Sequence, residues 1–261
     1  MKVSVITPMY NCERFIAETI NSVINQTYEN WEMILIDDAS NDKSVEIVKL
    51  YTKLDKRIRL IKLSENSGAA VARNKGIEES SGRFIAFLDG DDLWEPNKLE
   101  KQIQFMIERN IGFSFTAYSV ISEKGVNLNK TVRVPNVIDY NGLLRNTIIG
   151  CLTVVIDRDI IKEIKMPLIR RRQDFATWLN ILKKGYKAYG IDTPLARYRL
   201  VKGSVSSNKF KTAKQNWYVY RKIENLSLVN SIVVFSSYGF TSLKKRIKVQ
   251  VKLPIYNKYL S

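Results

Sequence analysis

The sequence predicts an α/β protein built on a mostly parallel central sheet with helices on both faces, and three observations predict it. Short apolar runs of strand type, VSVI (3–6), MILI (33–36), RIRLIKL (57–63) and FIAFL (84–88), recur through the first hundred residues. Segments of helical periodicity separate them, and strands alternating with helices give a parallel sheet covered on both sides. Polar or acidic segments, TPMYN, DDASND and LDGDDLW, follow the first, second and fourth runs directly.

Taken in order, the first crossover ERFIAETINSVIN places Phe15, Ile16, Ile20, Val23 and Ile24 on one helical face, and Val45, Val48, Tyr51 and Leu54 repeat the pattern in the second. An Ala-rich helix is expected over residues 66–80, with Gly68 and Gly76 serving its end and its packing. WEPNKLEKQIQFMIE gives a fourth helix, with Pro96 suited to its first turn. Beyond residue 110 the pattern loosens. GFSFTAYSVI and CLTVVI read as strands, RQDFATWLNILKKG as a helix closed by Gly185, and KAYGI and LARYRL as two short strands. This half extends the same sheet and supplies a second wall. From about residue 208 a basic tail follows: a helix around QNWYVYRKIENL, then LVNSIVVFSSYGF, then LKKRIKVQVKL.

At 261 residues with 45% apolar content, the chain buries a core and fits one domain with an appendage. Cys12 and Cys151 lack metal or redox spacing and read as core residues of a protein in a reducing compartment. The N-terminus lacks the pattern of a signal peptide and no run reaches the roughly 20 apolar residues of a membrane span, so the expected location is cytoplasmic. Histidine is absent. Proton transfer near neutrality then falls to a carboxylate, Lys, Tyr or Cys, and any metal site is built of oxygens, which favours Mg²⁺ or Mn²⁺ over zinc. The net charge of +16 is uneven: residues 1–164 carry 21 Lys/Arg against 23 Asp/Glu, while residues 165–261 carry 21 against 3. Such a basic tail suits an anionic partner: a membrane surface, a phosphorylated substrate or nucleic acid.

In open α/β sheets ligands bind at the carboxyl ends of the strands. Three polar segments converge there. Asp89, Asp91 and Asp92 follow an apolar strand at once, where unpaired acids are costly and a divalent cation relieves their repulsion. NSGAA is not a phosphate-gripping loop of the G-x-x-x-x-G-K type, and G-x-G-x-x-G is missing, which argues against ATPase and dehydrogenase chemistry. A reading of another class rests on the tail, where Trp217, Tyr218 and Tyr220 interleave with Lys214, Arg221 and Lys222 as in nucleic-acid binders. The acidic cluster opposes it, since it repels phosphates unless a cation intervenes, and no nucleic-acid partner is expected.

From VSVITPMYN through QTYENWEMILIDDASND, NSGAAVARNKGI and GRFIAFLDGDDLW to RRRQDFATWLNILKKG, roughly residues 1–200, the sequence resembles the inverting glycosyltransferases of family 2, which have the nucleotide-diphospho-sugar transferase (GT-A) fold. ARYRLVKGSVSSNK is similar to the subgroup that builds bacterial surface polysaccharides, including teichuronic-acid and capsule transferases. The resemblance implies a GT-A domain over 1–207, with a nucleotide-binding half (1–110) and an acceptor half (111–207), followed by the tail (208–261). It implies a UDP-sugar donor, a glycan or polyprenyl-diphosphate-linked glycan acceptor, Mn²⁺ or Mg²⁺ as cofactor, and a place on the inner face of the cell membrane. Pro8 and Tyr10 would line the nucleotide pocket, Asp38 (or Asp37) would accept a hydrogen bond from the base, and Arg73 would reach the nucleotide or its phosphates. Asp89 would hold the ribose and share the metal with Asp91. Asp174 would be the general base. Asp92, Trp94, Arg172 and Gln173 are the candidates for acceptor or phosphate contacts; Gln173 stands where the family commonly has Glu, and for Tyr10 and Trp94 simple packing is the alternative reading. In-line attack on the face opposite the diphosphate would turn an α-linked donor into a β-linked product. A nucleotidyltransferase of related fold is a weaker alternative, because the Gly-rich, Lys/Arg-bearing N-terminal loop usual in those enzymes is missing.

Overall fold

The computed structural model describes residues 1–201 and 209–250, with the side chains of 209–211 and 241–250 excepted. Its first half follows the predicted alternation: β1 (Val3–Met9), α1 (Ile16–Ile24), β2 (Trp31–Asp37), α2 (Ser44–Leu54), β3 (Ile58–Lys62), α3 (Ala69–Glu78) and β4 (Phe84–Phe87). β1, β2, β3 and β4 pair in parallel in the order β3-β2-β1-β4. Every residue of β1, β2 and β4 is buried, as a strand covered on both faces must be. Alternate side chains feed two cores. Ile34, Ile36, Ile85 and Phe87 pack with α3, while Met33, Leu35, Phe84 and Ala86 pack with α1. Gly76 makes the α3 approach feasible: a Cβ there would lie 2.5 Å from Ile6 Cγ2 and 2.6 Å from Ile36 Cδ1. Leu54, expected on the buried face of α2, is 83% exposed because it sits in the last turn, beyond the reach of the sheet.

The second half continues with β5 (Leu93–Trp94), α4 (Lys98–Glu108), β6 (Phe113–Ser122), β7 (Asn127–Val132), β8 (Val137–Ile138), α5 (Tyr140–Arg145), β9 (Val155–Asp157), α6 (Gln173–Lys183) and β10 (Ala188–Leu200). The sheet runs on as β4-β9-β6-β10-β5. Three expectations are corrected. CLTVVI is not one strand: Cys151–Thr153 form a 3₁₀ turn, and the short β9 runs antiparallel to both neighbours. KAYGI and LARYRL are parts of one strand, β10, whose register against β6 shifts on either side of Pro194, so that the missing amide falls in an irregularity. Pro96 precedes α4 rather than opening it, and its carbonyl accepts from Thr27 N at 2.9 Å. α6 ends as expected, with Gly185 at φ +94° just past its cap.

The tail begins on the domain rather than apart from it. α7 (Lys209–Tyr218) passes through a π turn (Val219–Ile223) before α8 (Leu228–Gln250). Val219 and Tyr220 are fully buried in the core that holds α5 and α6; Tyr220 Oη donates to Leu144 O at 2.8 Å, and its ring meets Phe175 edge-on. Glu224 accepts from Tyr140 Oη at 2.7 Å and from Lys183 Nζ at 3.1 Å. Trp217 packs against Phe235. The aromatics expected to stack on nucleic-acid bases are therefore largely turned inward, and only Tyr218 among them is exposed. The segment VKGSVSSNK lies almost wholly outside the described residues, as do the boundary placed at 207/208 and the last eleven residues. Among the described residues no helix is long and apolar enough to cross a membrane.

Candidate active site

The strand order places a crevice in the sheet. From β1 the chain winds outward through β2 to β3, then returns to put β4 on the other side of β1, and such a reversal opens a gap above the carboxyl ends of the two diverging strands. β1 pairs with β4 only as far as Ile6 opposite Phe87, with Leu88 N donating to Ile6 O. Pro8 lies beyond that last pair, where its lack of an N–H costs no ladder bond. Tyr10 follows at the rim, 47% exposed.

Asp37 and Asp38 end β2 beside this crevice, both buried. Asp37 Oδ1 accepts from Ser40 N. Asp38 Oδ1 accepts from Ser67 N at 2.8 Å and Oδ2 from Gly68 N at 2.9 Å, which ties the loop before α3 to the end of β2. Each carboxylate oxygen keeps a second lone pair for another donor.

Beyond β4, Asp89 pairs with the Arg73 guanidinium, delivered from α3. Arg73 is buried, and its Nε and Nη1 have no hydrogen-bond partner. Burial would lower its pKa, yet Asp89, with Cys151 and Asp174 adding, raises it above the ordinary value. Burial lifts the Cys151 thiol far above its usual range; Arg73 opposes this, and Asp89, Asp174 and Asp92 add to it. Asp89 and Asp174 thus act on the same two buried groups, one from the end of β4 and the other from the first turn of α6. Two clasps hold α6 there. Asn74 Nδ2 donates to Met166 O at 2.9 Å while Met166 N donates to Asn74 Oδ1 at 2.8 Å, and Arg170 Nη1 donates to Asn66 Oδ1 at 3.1 Å. α3 therefore fixes both Arg73 and the loop that leads to Asp174.

The segment D-G-D-D alternates between half-buried Asp89 and Asp91 and buried Gly90 and Asp92. Burial, with Asp89 next in weight, pushes the Asp91 carboxyl up to about 6; Arg199 and Arg73 only partly oppose it. Burial also holds Asp92 well above the carboxylate range, with Asp91 and Asp89 adding. Asp92 is 1% exposed, and its Oδ1 accepts from Arg199 N at 2.8 Å, so it faces the protein interior rather than the crevice. Trp94 is likewise interior: its Nε1 donates to Leu152 O at 2.8 Å and Lys98 Nζ lies 4.2 Å from its ring centroid. Arg172 caps α6 at φ +63°, its guanidinium 6.0 Å from the Phe175 ring centroid. Gln173 is buried, with Oε1 unpartnered.

Sequence reasoning missed three residues that shape this site: Asn74, whose amide holds the approach to α6; Arg199; and Lys98, a fully buried lysine whose pKa burial lowers to about 7. None of the three left a trace: alternation in LARYRL puts Arg199 on the same strand face as Arg197, whose side chain is 43% exposed. Among the described residues no group of three His, Cys, Asp or Glu side chains forms a ready metal cage. The donor set is two half-buried carboxylates, Asp89 and Asp91, which suits a hard ion that takes its remaining oxygens from substrate phosphates and water.

The family model described as Glycosyl transferase family 2 matches residues 4–164. TuaG of Bacillus subtilis (strain 168), a glycosyltransferase assigned by name to teichuronic acid biosynthesis, is 52% identical over 94% of this chain and 97% of its own length. The Escherichia coli UDP-Glc:alpha-D-GlcNAc-diphosphoundecaprenol beta-1,3-glucosyltransferase WfgD is 44% identical over 83% of this chain and 84% of its own. Among solved structures, S. aureus TarS 1–349 in complex with UDP superposes with a TM-score of 0.70 at 18% identity, covering 98% of this chain and 76% of that one. The Pyrobaculum calidifontis mannosyltransferase PcManGT in complex with GDP-Man and Mn²⁺ gives 0.68 at 18% identity, over 90% and 68%. The two structural likenesses carry the fold, that of GT-A transferases, and with the sequence matches they establish that this chain belongs to glycosyl transferase family 2 and is a glycosyltransferase.

Proposed function

We propose that the protein transfers a sugar, with inversion, from a UDP-sugar to a lipid-diphosphate-linked glycan in the synthesis of a bacterial surface polysaccharide. The observation that carries this reading is the meeting, at the sheet's switch point, of the Arg73–Asp89 pair and Asp91 with Asp174 on the facing helix. WfgD, by its name, uses UDP-Glc and a diphosphoundecaprenol acceptor, and TuaG supports the polysaccharide context.

In this reading Tyr10 offers an aromatic face to the base, and Asp38, held rigid by two amides, accepts from it. The unpartnered N–H groups of Arg73 point to an acceptor that the nucleotide supplies. Asp89 and Asp91 would hold Mn²⁺ or Mg²⁺; when bound, the ion supplies Lewis-acid stabilisation of the departing diphosphate. Asp174 takes the proton from the attacking hydroxyl of the acceptor, and positioned proton transfer of this kind contributes roughly 10²- to 10⁴-fold. The buried Oε1 of Gln173 accepts a hydrogen bond from a sugar hydroxyl, a neutral contact where Glu would add charge.

The acceptor's lipid tail gives α8 a role. Val229, Ile232, Val233 and Phe240 are each half or more exposed, while Val234 on the opposite face is buried in the domain. An apolar stripe with Lys244, Lys245, Arg246 and Lys248 following in the same helix suits an anionic membrane surface, on the cytoplasmic face where such an acceptor is built.

The test is transfer from UDP-sugars to a short-chain polyprenyl-diphosphate-linked GlcNAc. Activity should require Mn²⁺ or Mg²⁺. Asp174→Asn should retain UDP-sugar binding, read as a thermal shift, yet lose at least a hundredfold in turnover. Metal-independent transfer would remove the roles of Asp89 and Asp91, and near-normal turnover in the Asn variant would remove that of Asp174.

A further inference from the structure

We infer that Arg199 is the positioning residue that sets the aspartate loop for metal binding. Its guanidinium is 1% exposed and is spent wholly on neighbours. Nε donates to Asp91 O at 2.7 Å, Nη1 to Glu123 O at 3.0 Å, and Nη2 to Glu18 Oε2 at 2.7 Å. The backbone N of the same residue donates to Asp92 Oδ1 at 2.8 Å. One residue at the end of β10 thus grips two successive residues of the loop, the carbonyl of one and the carboxylate of the next, and braces them against α1 and the turn after β6.

Thr19 completes the arrangement. Its hydroxyl lies 3.1 Å from Gly90 O and 2.9 Å from Asp92 O. A hydroxyl carries one proton, so Thr19 serves one of these two carbonyls at a time, while Arg199 holds the carbonyl of Asp91 between them. With its inner side held by Arg199 and Thr19, the loop leaves toward solvent the half-buried carboxylates of Asp89 and Asp91. Two like charges brought together in this way do not stay there unaided. The guanidinium opposes their repulsion while holding the backbone, and its planar fork reaches three acceptors that no single ammonium can. Phe15, whose ring centroid lies 5.0 Å from the guanidinium carbon, closes its face to water.

The inference rests on the proposed metal role of Asp89 and Asp91, and the experiment separates the two. Mn²⁺ is titrated into the full-length protein with UDP present, and free Mn²⁺ is read from its EPR signal. If the wild-type protein shows no UDP-dependent Mn²⁺ binding, the metal reading itself fails. If it binds, Arg199→Lys should weaken Mn²⁺ by about tenfold or more, the usual cost of losing a residue that orients a ligand. UDP binding without metal should stay unaltered. Glu18→Gln, at a side chain 56% exposed, leaves the core intact and should weaken Mn²⁺ a few-fold by loosening the far end of the fork. A purely structural Arg199 would lower the melting temperature and leave the Mn²⁺ affinity of both folded variants at the wild-type value; that outcome overturns the inference.

Discussion

Asp91→Asn should make the metal-free protein more stable while abolishing its response to metal. Asp91 is an acid kept where ionisation is unfavourable, its pKa raised from 3.8 to about 6 by burial first and Asp89 second. Between those values the native state holds more protons than the unfolded chain, so the stability linked to this group falls as pH rises from about 4 to about 6 and stays lost above. At pH 7 a shift of this size corresponds to a cost of about 3 kcal/mol, taking 1.36 kcal/mol per unit. Because Asp89 and Asp92 share the same field, and part of the side chain meets solvent, about 2 kcal/mol is the expected gain for a neutral isostere. The assay is urea unfolding of EDTA-treated protein at pH 5 and pH 7.5. The variant should exceed the wild type at pH 7.5 and converge toward it at pH 5, while UDP with Mn²⁺ raises the melting temperature of the wild type alone. A variant less stable than wild type at both pH values would refute the argument that the carboxylate is held under strain.

Lys98 offers a second titration of opposite sense. Burial lowers its pKa from 10.5 to about 7, so the unfolded chain binds the extra proton between those values and stability rises with pH through that window. Lys98→Met should flatten the rise and stabilise the protein at pH 7 by about 2 kcal/mol, the relief of about 4 less about 2 for leaving Gln102 Oε1 without its 2.8 Å donor; an unchanged slope of unfolding free energy between pH 7 and 9.5 would refute it. On α8, Ile232→Asp combined with Val233→Asp should cut binding to phosphatidylglycerol vesicles more than tenfold without shifting the melting temperature, because both side chains already face solvent. Equal sedimentation with vesicles by both proteins would exclude that face as the contact.

The parallel half was legible because burial on both faces leaves continuous apolar runs, and the acids that follow them fall at one sheet edge whatever the details of packing. The mixed half was less so. β9 has the same β-branched composition as a parallel strand, and direction is set by partners far away in the chain. Pro194 read as a break between strands, although a register irregularity absorbs it. Within the site, the distinction between Asp91 at the crevice and Asp92 in the interior is a matter of one residue's rotation, fixed by Thr19 and β10 and invisible in D-G-D-D itself. Lys98 stands in the helical segment WEPNKLEKQIQFMIE, where nothing in the sequence marks it as buried. Only the proximity of Gln102 and Trp94 explains its burial.

The ion pair between Lys183 and Glu224 joins the tail to the far end of the helix that begins beside the crevice. Asp174 and Lys183 are nine residue steps apart on the helix, and at 1.5 Å per step they span about 14 Å. Helix α6 is thus a strut of set length, with Asp174, the proposed proton acceptor, near one tip and the segment that leads into α8 fastened to the other. Any surface on which α8 rests would then lie at a set height from Asp174. If the acceptor is the proposed lipid-linked glycan, selection would follow from reach, since a sugar too near the lipid or too far from it would miss the carboxylate even with the right stereochemistry.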